Sequence, residues 1–321
     1  MIVFGPVPSR RLGQSMGINH IPPKVCSYSC CYCQLGRTDK MQIERQEFYS
    51  PQTISTEMEQ KLQQLMQSGQ GVDYLTFVPD GEPTLDLNLG TEIAMLKQFQ
   101  KKIAVITNAS LLWREDVRKD LSEADWVSVK IDAVDPNIWR KVDRPHGAID
   151  LSTILAGVIA FVQQYKGQLV TETMLVDGVN DSVEAIDKLA EFLARVRPQI
   201  AYLLVPTRPP AECNVRRPSN VRLLEAARAI RRAAGVKVEW ITGDEREDGF
   251  FCTGDIVEDL LSITAVHPLR AEIVDEITKN RASGENLVEE LVKQGLLLEF
   301  WYEGKKFYRK KVVGFTQGIS K

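Results

Sequence analysis

The feature that most restricts how this chain can fold is its rhythm of short β-branched runs set between amphipathic helical stretches. Gly17-Ile18-Asn19, Tyr74 to Val78, Ile103 to Thr107, Trp126 to Lys130, Leu169 to Val176, Ile200 to Val205 and Val236 to Ile241 read as strands. Between the first two, Gln52 to Met66 puts Ile54, Met58, Leu62, Leu65 and Met66 on one helical face, with Ser50 as cap and Pro51 in the first turn. Alternating strands and helices require parallel pairing with right-handed crossovers. The expected fold is therefore α/β, a complete or partial (β/α)6-type barrel, in which function gathers in the loops after the strands.

The rhythm stops at Thr253-Gly254-Asp255. Beyond it, His267-Pro268 opens a short helix with Ile273 and Ile277 inward, and Gly284 precedes a second helix carrying Leu287 and Leu291 and capped by Gly295. Leu296 to Tyr302, a Glu303-Gly304 turn and Lys305 to Lys310 then read as a hairpin. Helix, helix, hairpin outlines a winged helix. The 321 residues exceed what one core usually holds, so residues 1–250 are expected to form the main domain and 255–321 a small winged-helix domain. With 44% hydrophobic and 26% charged residues the chain can close such cores, which excludes disorder. No apolar run approaches the ~20 residues of a membrane span, and Met1 to Gly5 leads into Pro6 and Arg10-Arg11 without a signal-peptide stretch; a cytoplasmic address without membrane contact is expected.

Six cysteines in such a chain do not read as a disulfide framework. Four crowd into one loop as Cys26, Cys30, Cys31 and Cys33, while Cys213 and Cys252 stand apart. Cys26, Cys30 and Cys33 have the spacing C-x3-C-x2-C. Three thiolates on a [4Fe–4S] cluster leave one iron open to a further ligand, whereas structural clusters and structural zinc normally take four protein ligands. The alternative is zinc, with His20 or Cys31 as fourth ligand. After the second strand comes Val78-Pro79-Asp80-Gly81-Glu82-Pro83-Thr84, a turn by composition.

The cysteine spacing, with Tyr32 just before the last cysteine, resembles that of the radical S-adenosylmethionine superfamily, and Gly81-Glu82-Pro83 resembles its GGEP motif, with Asp80 where a glycine is usual. The resemblance implies a mechanism in which the cofactor's amine and carboxylate chelate the open iron and one electron cleaves it to a 5′-deoxyadenosyl radical that takes hydrogen from substrate. It also assigns roles. Cys26, Cys30 and Cys33 hold the cluster with Cys31 as bystander, Tyr32 packs near the adenine, and the Gly81-Glu82-Pro83 backbone receives the methionyl ammonium. Asn108, Ser128, Lys130 and Glu172, on successive strands, occupy positions of ribose and carboxylate contacts, Lys130 serving also as a catalytic group. Cys213 is the second catalytic candidate, as a thiol that donates hydrogen or sulfur or forms an adduct, with Cys252 as partner. A low-potential electron donor of flavodoxin or ferredoxin type is implied.

Two narrower resemblances apply. Phe4 to Gly13, Cys31-Tyr32-Cys33-Gln34-Leu35-Gly36, Val129 to Ala133 and Arg144-Pro145 are similar to short wyosine-synthase-like iron–sulfur oxidoreductases, over residues 1 to about 250. Wyosine synthases act on a guanine in transfer RNA and carry further cysteines for a second cluster; here only Cys213 and Cys252 remain. Lys130 with Asp132 also resembles glycyl-radical activases, and winged helices serve some peptide-modifying radical enzymes as leader readers.

Charge favours RNA. The net charge is -3, yet between Arg195 and Arg232 nine arginines face Glu212 and Glu225 alone, a local balance of +7. Arg208, Arg216 and Arg217 fall in the loop after the Ile200 to Val205 strand. Lys305, Lys306, Arg309, Lys310 and Lys311 interleave with Phe300, Trp301, Tyr302, Phe307 and Tyr308, a mixture suited to phosphate contact and base stacking. A tRNA-modification-like reaction is thus expected. The alternatives are a small-molecule substrate, a protein or peptide substrate, and a metal-stabilised RNA-binding module without catalysis.

Overall fold

A computed structural model of the chain describes residues 2–241, 256–266, 268–279, 287–302 and 304–311. Cys252, His267, Gly284, Glu303 and the expected domain boundary lie outside the described residues. The chain opens with β1 (Val3–Ser9) and β2 (Gly13–Ile18), an antiparallel pair whose register shifts between Phe4 and Val7. The cysteine loop follows and holds a two-residue parallel pair, β3 (Val25–Cys26) and β4 (Lys40–Met41). From there β5 (Tyr74–Phe77), β6 (Lys102–Thr107), β7 (Trp126–Lys130), β8 (Gln168–Met174), β9 (Ile200–Leu204) and β10 (Lys237–Ile241) add to β2 in chain order, each parallel to the last.

Helices supply the crossovers. They are α1 (Pro51–Gln67), α2 (Leu89–Leu96), α3 (Glu115–Leu121), α4 (Pro136–Val142), α5 (Leu151–Gln164), α6 (Val183–Val196) and α7 (Asn220–Ala234). Local chemistry starts most of them: the side chains of Ser50, Asp135, Asp150, Ser182 and Ser219 accept from the first-turn amides of α1, α4, α5, α6 and α7. Among the described residues β1 and β10 are the sheet's edges and do not pair with each other, so the structure takes the partial rather than the closed form of the expected barrel. β1 was not anticipated, and the first expected strand begins earlier, at Gly13. The reason is composition: Gly5, Pro6 and Pro8 are poor strand formers that an edge strand tolerates.

Strand periodicity divides the sheet's two faces. Val127 and Val129 of β7 join the large core built with Ile54, Ile93 and Phe161 of the helices. Trp126 faces the opposite way, into a smaller cluster with Leu12, Ala104, Val170 and Tyr202. By the same period, Ser128 and Lys130 share the face of Trp126 and lead along it to the carboxyl ends of the strands.

After the undescribed stretch come α8 (Ile256–Val266), β11 (Leu269–Arg270), α9 (Ala271–Lys279), α10 (Leu287–Lys293), β12 (Leu297–Tyr302) and β13 (Lys305–Lys310). The three strands form a separate sheet in the order β11-β13-β12. Pro268 does not open a helix as expected: it precedes β11, and the helix begins at Ala271. Ile256, Leu260, Ile263, Leu269, Val274, Leu291, Leu297 and Tyr308 build a second core, against which Val7 of β1 packs.

One close approach makes the helix packing testable. A Cβ on Gly157 of α5 would meet the backbone nitrogen of Trp113 at 2.4 Å and the backbone carbon of Leu112 at 2.5 Å, whereas one on Gly147 meets nothing within 4 Å. Gly157→Ala is expected to lower stability in urea unfolding by about 1–3 kcal/mol, and Gly147→Ala to leave the midpoint in place.

Candidate functional site at the strand ends

The loop from Val25 to Gly36 is held where β2, β5, β6 and β7 end. Backbone amides of Ser29 and Cys31 donate to the carbonyls of Asp143 and Val142, and the turn after β5 is pressed against β3. Gly81 carries that last contact: a Cβ there would stand 1.9 Å from the carbonyl oxygen of Val25. The Glu82 amide donates to that same carbonyl at 3.2 Å. The side chain of Glu82, 1% exposed, accepts from Thr84 Oγ1 and Thr107 Oγ1, both at 2.6 Å, and from the amides of Thr84 and Asn108 at 3.0 and 2.7 Å. Burial raises the Glu82 carboxyl above its ordinary value, against the pull of these donors. Glu82 thus clamps the ends of β5 and β6, and its carboxylate is engaged by the protein itself.

Cys26 and Cys30 each lie near enough to Cys33 for thiolate charges to act on one another. Burial pushes the Cys26 thiol up to about 12 and raises Cys30 and Cys33 as well. Lys130 works against that on Cys30 and Cys33, and Lys24 on Cys33. Buried thiols of this kind keep their protons until a metal displaces them, and the two lysines then offset the charge. The donor set fits an iron–sulfur cluster. Cys31 differs: it is buried, its thiol is raised to about 11 by burial, and the charges acting on it are those of Arg144, Asp143, Asp132 and Glu212.

Lys130 is the centre of a second assembly. Its ammonium stands 4.7 Å over the Tyr32 ring centroid and donates to the Tyr32 hydroxyl at 3.2 Å, while that hydroxyl donates to Asp132. Burial disfavours its charge, but Asp132, Glu172, Cys30 and Asp143 outweigh burial and hold its pKa above the ordinary lysine value. Glu172, paired with Lys130 in the β7–β8 register, accepts from Ser128 at 2.7 Å and from Arg11. Burial opposes the Glu172 charge, yet Arg11 and Lys130 bring its pKa below the usual carboxylate range. Asn108 reaches the cysteine loop, donating to Ser27 Oγ at 2.9 Å and to Cys26 Sγ at 3.5 Å.

The structure therefore brings Cys26, Cys30, Cys33, Tyr32, Gly81, Glu82, Pro83, Asn108, Ser128, Lys130 and Glu172 to one end of the sheet. Cys213 is exposed, on a segment whose neighbour Glu212 donates its amide to the Cys31 carbonyl and pairs with Arg144, and it does not join the Lys130 assembly. Sequence reasoning missed Arg11, which meets Glu172 across 161 residues, and Asp143, which accepts from Cys30 Sγ at 3.5 Å. The Asp143-Arg144-Pro145 run was the available signal for the latter.

Comparison with known proteins agrees with this geometry. The family model described as the Radical SAM superfamily matches residues 21–193, and the chain belongs to that superfamily. A UPF0026 protein of Methanocaldococcus jannaschii is 44% identical over 319 residues, 99% of each chain. Among solved structures, TYW1 with a lysine-pyruvate adduct bound has a TM-score of 0.56 at 17% identity, covering 74% of this chain and 79% of that one. SuiB of Streptococcus suis bound to S-adenosylmethionine has a TM-score of 0.52 at 14% identity, covering 70% and 49%. The chain is an iron–sulfur enzyme that uses a [4Fe–4S] cluster and S-adenosylmethionine, which sets aside the reading without catalysis. Among the described residues no helix is long and apolar enough to cross a membrane.

Cys26→Ala, Cys30→Ala and Cys33→Ala are each expected to abolish the brown absorbance of the reconstituted protein and its formation of 5′-deoxyadenosine, with Cys31→Ala keeping both. A full four-iron content in Cys30→Ala, by iron and sulfide analysis, would refute the ligand assignment.

Proposed function

We propose that this enzyme modifies an RNA, with Cys26, Cys30 and Cys33 holding its cluster and S-adenosylmethionine lying between the Gly81-Glu82-Pro83 turn and Lys130. When bound, the cluster supplies the electron that cleaves the cofactor to a radical able to take hydrogen from substrate; a flavodoxin- or ferredoxin-type donor is the matching reductant. The chain's own part is positioning. Because the Glu82 carboxylate is already engaged, the turn offers backbone carbonyls to the methionyl ammonium, while Lys130 offers its charge to the methionine carboxylate. Asn108, just after β6, and Ser128, on β7 with Lys130, complete the cradle, and Tyr32 and Asp132 fix the lysine.

The observation that carries the substrate class is at Gln34, next to Cys33. Arg208, from the loop after β9, donates to Gln34 Oε1 at 3.0 Å, and Arg309 of β13 donates to the Gln34 carbonyl at 3.2 Å. Two basic segments far apart in sequence thus converge beside the cluster loop. Burial pushes the Arg208 pKa down to about 9, and the nearby charges of Arg270, Arg11 and Arg10 push the same way. We read residues 1–250 as the catalytic domain and 255–321 as a winged helix, since helix, strand, two helices and a hairpin follow in that order.

A second reading, a peptide substrate, rests on β12, an edge strand of its sheet with Trp301 68% exposed; an extended peptide could add there as a strand. The test is salt-dependent binding of transfer RNA to Arg208→Gln/Arg270→Gln. The doubly substituted protein is expected to bind more weakly, with a log–log salt slope shallower by about 0.7–0.9 for each phosphate no longer bound. Cofactor cleavage without substrate should persist. RNA binding unchanged in strength and slope, together with peptide binding abolished by Trp301→Ser, would replace the RNA reading with the peptide one.

A further inference from the structure

Behind the Gly81-Glu82-Pro83 turn, three ionisable side chains are shut away from water together. His20 follows β2, Asp86 closes the 3-10 turn Pro83–Leu85, and Glu92 lies in the first turn of α2. All three are at most 1% exposed, and one ligand atom from each lies within 4.8 Å of the other two. His20 Nε2 is 4.0 Å from Glu92 Oε2 and 3.3 Å from the Pro83 carbonyl. Asp86 Oδ1 accepts from the Asn88 amide at 2.8 Å, but Asp86 Oδ2 and both carboxyl oxygens of Glu92 have no hydrogen-bond partner among the described residues.

Such a group is costly to bury as it stands. Two carboxylates in a dry pocket are unfavourable by several kcal/mol each unless something compensates them. Arg45 is the cation that acts on Asp86, but its guanidinium is engaged by the carbonyls of Thr84 and Asp86 and by Asp116 and Asp120. Nor does His20 help: burial lowers it to about 4, so the ring is neutral. Protonating Glu92, whose pKa burial pushes up to about 9, removes one charge but creates an O–H that also needs an acceptor, and neither oxygen has one.

We propose that His20, Asp86 and Glu92 bind one divalent cation of the zinc type behind the turn. One neutral imidazole and two carboxylates give a site of zero net charge with the donor types that zinc accepts. Metal–ligand bonds of about 2.0–2.2 Å set ligand atoms roughly 3–4 Å apart, so a small inward shift of side chains already within 4.8 Å closes the site. None of the three is a residue of the cysteine loop or the Lys130 assembly. The cation's role is to hold Asp86, and through it the turn that lies against Val25.

The test uses the full-length, anaerobically reconstituted protein, incubated with zinc sulfate, passed through chelating buffer and analysed for zinc and iron by mass spectrometry. About one zinc per chain is expected in addition to the cluster iron, with a zinc-dependent rise in Tm. The isosteric Glu92→Gln, and separately Asp86→Asn, should lose the zinc and the Tm response while keeping iron and colour. Cys26→Ala should do the reverse, which separates this site from the cluster assignment. Absence of zinc from the wild-type protein, or its retention in Glu92→Gln and loss in Cys26→Ala, would overturn the proposal. So would a Glu92→Gln protein more stable than a wild type that takes up no zinc, since that marks a water-filled or protonated pocket.

Discussion

The site depends on one buried carboxylate. Glu82 accepts four hydrogen bonds from Thr84, Thr107 and Asn108, while its own amide is joined to Val25, so a single residue ties the turn after β5 to the end of β6 and to the strand that carries Cys26. A carboxylate in this position is stable only with its donors in place, because desolvation otherwise drives it to the neutral form. The geometry of the cysteine loop is thus tied to a residue that also acts on Cys26, whose thiol its charge helps to raise. Gly81 makes the approach possible and Arg45 braces the far side through the carbonyls of Thr84 and Asp86.

Around that frame charge is arranged in two zones. Near the cysteines, burial works against the charges of Lys24 and Lys130 while neighbouring carboxylates favour them. They face thiols that acquire charge only when metal binds, so their electrostatic benefit appears with the cofactor and not before it. Further out, the charges of Arg270, Arg11 and Arg10 act on Arg208 and disfavour its own. Arg11 belongs to both zones, since its pairing with Glu172 links the outer arginines to the Lys130 assembly.

What was legible in the sequence follows the range of the forces involved. The parallel strands could be read because a buried strand shows itself locally, as β-branched runs of four to eight residues. The cysteine loop could be read because three ligands must share one cluster and so lie close in sequence. β1 could not, since its prolines mask a strand whose partner is an adjacent hairpin arm, and β11 was hidden because a two-residue strand owes its form to its pairing with β13 and to the second core. Arg11 with Glu172, and Arg208 and Arg309 with Gln34, are contacts across more than a hundred residues, and charge balance alone carries no address. The composition indicated two basic stretches; only the fold shows them meeting.

That meeting bears on how an acidic chain can attract an anion. A net charge of -3 gives no long-range pull, and at physiological salt fields beyond about 8 Å are screened. Any attraction for an anion must then be short-ranged, from cations gathered in one place. Gln34 serves as the gathering point because it accepts from Arg208 with its side chain and from Arg309 with its carbonyl, holding two chain segments within reach of Cys33. The C-terminal hairpin and the cluster loop are therefore joined at this residue, beside Cys33.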